Sequence, residues 1–206
     1  MSFESITTKV ARYYSARLGE FGSSARGVDW NSEESQVLRF RQLARVLPET
    51  GHFSVLDYGC GYGALIDFLE ALELDFDYRG YDVSADMIEQ ARRAHGGANR
   101  VFFSEEAELE SADYALASGI FNVKLDTPVS EWEGYVAHTL ESLNRLGHSG
   151  FAFNMLTSYS DADRMRTDLY YGDPRSYFDL CKRQYSKQVA LLHDYGLYEF
   201  TMIVRK

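Results

Sequence analysis

Apolar positions in the first fifty residues recur at helical spacing. Ile6, Val10, Tyr13, Tyr14 and Leu18 share one face of a helix over residues 4–18. A looser stretch follows at 19–31, with Gly22, Ser23, Ser24 and Gly27. A second helix starts at Ser32, whose hydroxyl suits a cap, with Glu33 and Glu34 at the positive end. Val37, Phe40, Ala44 and Leu47 carry its apolar face to Pro48. Then the period changes. Short apolar runs at 53–58, 77–82, 100–103, 113–120 and 150–156 read as buried strands. Between them lie helical patterns: Leu65, Ile66, Leu69 and Leu72; Met87, Ile88 and Ala91 behind a Ser84 cap; Trp132, Val136, Leu140 and Leu143 behind a capping box of Ser130 with Glu133. Asp173 followed by Pro174 announces a last helix. Runs at 189–195 and 198–204, separated only by Gly196 and Leu197, predict an antiparallel hairpin.

Strands alternating with helices predict an α/β fold: a seven-stranded, mostly parallel sheet with helices on both faces and a C-terminal antiparallel hairpin. The 206 residues suit one domain spanning 1–206. Residues 1–48 form a helical lid segment and 157–186 a second cap, because both fall outside the regular alternation. Residues 157–172 alone are long for a connection and hold Tyr159, Tyr170 and Tyr171 among charged residues.

Composition narrows the function. A formal net charge of -10, with no Lys/Arg run, disfavours a nucleic-acid partner and favours a cationic ligand. No stretch is long and apolar enough for a membrane span, and the polar first ten residues do not read as a signal peptide, so the default location is cytoplasmic. Cys60 and Cys181 are too few for a disulfide framework. The five histidines, His52, His95, His138, His148 and His193, lack ligand spacing, so no metal site is expected. A small molecule is the expected partner, with the chain a monomer or a homodimer.

The sharpest motif is Asp57-x-Gly59-x-Gly61-x-Gly63, directly after the first strand. Its glycines let the chain turn sharply and bring backbone N–H groups close to a ligand, with Cys60 a small packing residue in the turn. Gly59-x-Gly61-x-x-Ala64 would also pass as a dinucleotide fingerprint. Asp82, ending the second strand, suits a ribose diol in either cofactor. The acidic Asp57 and the reversed last strand separate the two readings: the motif resembles that of class I S-adenosylmethionine-dependent methyltransferases. The segments Trp30-x-Ser32-x-Glu34-Ser35-Gln36, residues 117–122, Tyr171-x-Asp173-Pro174 and His193-Asp194-Tyr195 further resemble a family of small methyltransferase-domain proteins without an assigned substrate.

That resemblance implies a Rossmann-like fold, S-adenosylmethionine as cofactor and S-adenosylhomocysteine as product. It implies that Gly59, Cys60 and Gly61 line the methionine part, with Asp57 orienting its amino group. Asp82 takes the ribose, Val83 and Met87 pack on the adenine, Glu105 reaches the adenine amine, and Ser118 and Gly119 face the methyl group. Methyl transfer from a sulfonium relies on proximity and orientation and needs no catalytic dyad. Should the acceptor arrive protonated, His193 is the candidate base. Its neighbour Asp194 points to the opposite face of a strand and cannot support it there. Asn122 and Asn154, at strand ends, are candidates to hold the acceptor. Tyr13, Tyr14, Trp30, Tyr170 and Tyr171 are candidate pocket walls for a small, partly apolar acceptor. On this reading, removing residues 1–31 should spare cofactor binding and abolish transfer. Two alternatives stay open: a non-catalytic binding module for S-adenosylmethionine, with its acceptor pocket filled or polar, and an NAD-dependent oxidoreductase.

Overall fold

A computed structural model describes residues 3–30 and 32–206. Met1, Ser2 and Asn31, at the ends of the expected N-terminal segments, lie outside the described residues. Helix α1 (Phe3–Phe21) and helix α2 (Glu33–Leu43) precede the sheet. Strand β1 (Phe53–Tyr58), α3 (Ala64–Ala71), β2 (Phe76–Tyr81), α4 (Ala85–His95), β3 (Arg100–Phe103) and β4 (Ala112–Ala117) follow. The chain continues through α5 (Val129–Leu146), β5 (Gly147–Leu156), α6 (Pro174–Gln184), β6 (Gln188–Leu192) and β7 (Glu199–Arg205). The strand order is β3-β2-β1-β4-β5-β7-β6. Strands β1 to β5 pair in parallel, while β7 pairs antiparallel with both β5 and β6. This is the expected Rossmann-like sheet with one reversed strand.

Alternate residues of each central strand serve opposite faces, as a sheet covered on both sides requires. Leu56, Ala115, Phe151, Phe153 and Met202 pack with Trp132, Val136 and Leu140 of α5 and Cys181 of α6. Val55, Leu116, Ala152 and Ile203 pack with Phe40 and Leu43 of α2, Ile66 and Leu69 of α3 and Ile88 of α4. Ile6 and Val10 fasten α1 to the α5 side.

Caps set the helix starts. Ser32 Oγ accepts from Ser35 N, Ser84 Oγ from Met87 N, and Asp173 from Arg175 N ahead of Pro174. The expected capping box is not there. Helix α5 starts at Val129, after Pro128, with no side-chain cap, so Ser130 lies inside the first turn. The hairpin is also looser than expected. Six residues separate Leu192 from Glu199, because Gly196 takes φ +72 and the Tyr195 hydroxyl bonds the Thr201 hydroxyl at 3.0 Å. Strand β4 stops at Ala117 rather than at Ile120. Gly119 turns at φ +75 and its carbonyl accepts from Asn122 N.

The order reverses between β1, which leads outward to β2 and β3, and β4 on its other side. A crevice opens beyond the carboxyl ends of strands at such a switch point. The glycine-rich turn after β1 and residues 118–122 after β4 both meet there.

Candidate active site

The turn after β1 is pinned before any ligand arrives. Gly59 N and Cys60 N both donate to Tyr81 O, at 2.7 and 2.8 Å, tying the turn to the end of β2. Gly61 N donates to one carboxylate oxygen of Asp82 and Ser84 N to the other, each at 2.9 Å. Gly59, Gly61 and Gly63 all have positive φ. A side chain on Gly59 would strike Ile120, its Cβ falling 2.2 Å from Cγ2.

These groups line a cavity enclosing about 790 Å³ of empty space, part of it open to solvent. Nine of the ten expected cofactor residues border it: Asp57, Gly59, Cys60, Gly61, Asp82, Val83, Met87, Ser118 and Gly119. Burial raises both carboxylates, Asp57 to about 7 and Asp82 to about 6. A hydrogen bond from the Tyr78 hydroxyl (2.7 Å) moderates the first, and the backbone N–H groups of Ser84 and Gly61 moderate the second. Ser118 Oγ is buried without a hydrogen-bond partner among the described residues. Buried acid, an unpaired hydroxyl and close-packed glycines make a cradle suited to a polar, cationic ligand.

A second cavity, about 940 Å³ of empty space including open solvent, adjoins the first. Tyr14, Val28, Trp30 and Gly119 border both. The indole of Trp30 lies so close to Gly119 that a Cβ there would sit 2.3 Å from it. Asn122 and Tyr171 line the second cavity. Asn122 gives its carbonyl oxygen to Leu156 N (3.1 Å), and Tyr171 accepts from Arg166 N (3.0 Å).

Five expected site residues lie elsewhere. Glu105 is exposed and borders a shallow groove beside α1. Asn154 is wholly buried and bridges the sheet: its oxygen accepts from Gly119 N at 2.6 Å, and its amide donates to Glu199. Tyr170 is a core residue whose hydroxyl meets that of Tyr177 at 2.9 Å and donates to the Glu133 carboxylate. Tyr13 turns to Asp29, donating at 2.8 Å. His193 is exposed, beside the rings of Tyr159 and Phe200, and borders neither cavity. It follows β6, the edge strand, three places from β4 in the sheet.

Several lining residues escaped the sequence reading. Val10 lines the first cavity one turn from Tyr14, an expected pocket wall, and Ser15 Oγ meets Ser84 Oγ at 2.9 Å. Helix α1 therefore covers the first cavity, where the sequence placed it over the acceptor. Deleting residues 1–31 should abolish cofactor binding as well as transfer, and calorimetry on the shortened chain checks this. Arg39 and Glu199 also line the second cavity, as a buried ion pair joined at 2.6 Å. The sequence alone gives Arg39 no role in the site, because its partner stands 160 residues away.

Similarity to known proteins agrees with this geometry. The Methyltransferase domain family matches residues 56–148, from β1 into β5. Over 163 residues the chain is 54% identical to the Mycobacterium tuberculosis (strain ATCC 25618 / H37Rv) protein named "Putative methyltransferase Rv1506c", covering 79% of this chain and 98% of that protein. The chain belongs to a family of methyltransferases. Among solved folds, magnesium protoporphyrin IX methyltransferase from Synechocystis PCC 6803, with bound S-adenosylhomocysteine, aligns at TM-score 0.63 and 16% identity over 97% of this chain and 99% of that one. Human N-acetylserotonin methyltransferase with S-adenosylmethionine aligns at 0.66 and 15% over all of this chain, which spans 60% of the human protein. The methyltransferase fold thus extends through the α1 and hairpin regions that the domain match leaves out. Among the described residues no His/Cys/Asp/Glu group is arranged to hold a metal, and no helix is long and apolar enough to cross a membrane.

Proposed function

We propose that this methyltransferase holds S-adenosylmethionine in the first cavity and passes its methyl group to a small molecule in the second. The observation that carries the reading is the shared wall: the glycine cradle and the second cavity meet at Tyr14, Trp30 and Gly119. The solved relatives named above carry small-molecule acceptors in their names, which supports an acceptor of that size.

The bound cofactor supplies a methyl group on a positively charged sulfur. The residues of the chain do the rest. Gly59 and Gly61 admit the ligand close to the backbone, where a side chain would collide. Asp82, already fixed by two backbone N–H groups, keeps free lone pairs on both oxygens for the ribose hydroxyls. Asp57 faces the ammonium group. Trp30 and Tyr14 exclude water at the junction, which favours dispersal of charge from sulfur. Asn122, with its oxygen spent on Leu156 N, has its NH₂ group left to orient the acceptor.

Asp82→Ala should weaken S-adenosylhomocysteine binding by about 1.5–3 kcal/mol, the usual loss for a hydrogen bond to a charged group. Calorimetry returning wild-type affinity in the folded variant removes Asp82 from the site.

The raised carboxylates impose a pH signature. The unfolded chain ionises these groups near 3.8, the folded chain near 7 for Asp57 and 6 for Asp82. Their contribution to the stability of the free protein is complete below about pH 4 and is lost as pH rises through 6 to 7. A ligand ammonium favours the ionised form of Asp57, so cofactor affinity should climb from pH 5 and level off near pH 8. Thermal melts across that range should show a growing shift with S-adenosylhomocysteine. A flat shift from pH 5 to pH 8 contradicts the role of Asp57.

The acceptor is best sought by incubating the protein with radiolabelled S-adenosylmethionine and fractionated small metabolites. Label entering a small-molecule fraction supports the proposal, and label confined to macromolecules contradicts it.

A further inference from the structure

The second cavity has a charge pattern that the chain as a whole does not. Its borders include three arginines, Arg39, Arg164 and Arg166, and two acids, Asp29 and Glu199. Four of these five are already committed. Arg39 is held by Glu199 and lies 3.9 Å from the centroid of the Trp30 ring. Asp29 takes Arg17 on one oxygen and the Tyr13 hydroxyl on the other, both at 2.8 Å. Arg166 is paired with Asp168. Among the described residues Arg164 has no ion-pair partner, although it sits in a chain of net charge -10. Its guanidinium lies 6.0 Å from the ring of Tyr198; among the described residues the adjacent Asp163 makes no ion pair with it, and Asp161 is engaged by the Tyr198 hydroxyl. The rest of the lining includes apolar Val123, Leu156 and Leu169 and the flat ring of Tyr171.

An unneutralised guanidinium over an apolar, aromatic wall recognises an oxyanion carried on a hydrophobic body. We propose that the methyl acceptor bears an anionic oxyacid group, a carboxylate or a phosphate, that Arg164 binds at the rim of the second cavity while the apolar part of the molecule rests toward Trp30. This inference rests on the proposed function, since it takes the second cavity as the acceptor site. The chain as a whole is acidic, but three arginines against two acids border the second cavity. Arg164 is then a specificity-determining residue that selects the acceptor by charge. It is exposed, in a short 3-10 turn (Ala162–Arg164), and its replacement should not disturb the fold.

The test uses the intact chain saturated with S-adenosylhomocysteine and four probes of one ring size: benzoate, phenyl phosphate, benzamide and benzylamine. Calorimetry should show at least one anion bound about tenfold or more tightly than the neutral and cationic probes, the margin expected for one hydrogen-bonded charge. Whichever anion binds more tightly identifies the oxyacid. Arg164→Gln should erase the margin, and Arg164→Lys should restore part of it. The inference is overturned if benzamide or benzylamine binds as tightly as the anions, if no anion binds, or if Arg164→Gln keeps the margin. The preceding titration separates the two readings. Failure of S-adenosylhomocysteine itself to bind contradicts the proposed function, whereas normal cofactor binding without anion selectivity contradicts only the role of Arg164.

Discussion

Arg39→Ala should cost about 3–5 kcal/mol of folding stability, a large part of what a domain of this size possesses. The side chain is buried on α2. Its Nε and Nη2 donate to Glu199 of β7, and its Nη1 donates to Ser35 O at 2.8 Å. Glu199, 1% exposed, is in turn bonded to Asn154 of β5, which holds the backbone N–H of Gly119 beside the cavities. Removing the cation leaves a carboxylate buried without a charge partner and takes away the surface on which Trp30 stacks. Urea denaturation of Arg39→Ala should show the loss. The double variant Arg39→Met with Glu199→Met should recover much of it, since an apolar pair leaves no buried charge behind. A single variant that loses less than about 1 kcal/mol, a typical surface effect, contradicts the network.

Gly61→Val should abolish measurable binding of S-adenosylhomocysteine while the chain stays folded. Gly61 has φ +54, where a β-branched residue is strained by about 1–3 kcal/mol. Its Cβ would lie 3.0 Å from Val28 Cγ1, on the segment that walls both cavities. Twisting to relieve that contact would pull Gly61 N away from Asp82 and disturb the ribose site together with the turn. The central strands are untouched, so circular dichroism should match the parent. Wild-type affinity in a folded Gly61→Val chain shows that this turn does not cradle the cofactor.

What the sequence revealed follows from the range of the interactions. The first cavity is built largely from two local signals, the glycine turn after β1 and the acid ending β2, and nearly all of its expected residues border one space. The mostly parallel sheet was legible because apolar runs and helical patterns alternate cleanly from residue 53 onward. The errors concern contacts between distant parts of the chain. Asn154 looked like a strand-end ligand group, but its partners Gly119 and Glu199 come from other elements and absorb it. Tyr170 looked like a pocket wall until Tyr177 and Glu133 closed around it. Periodicity identified Val10 and Tyr14 as a buried helix face without showing that the face is buried on a cofactor site. Arg164 had no sequence signature. That it has no ion-pair partner among the described residues shows only in the folded chain.

The central claim is that the cradle after β1 accepts S-adenosylmethionine rather than a dinucleotide. Titration of the purified chain with S-adenosylhomocysteine and, in parallel, with NAD tests it most directly. The account predicts saturable binding of S-adenosylhomocysteine at one site per chain, lost in Gly61→Val and weakened in Asp82→Ala, with no heat from NAD. Binding of NAD, or no binding of S-adenosylhomocysteine by the folded wild-type protein, would contradict it.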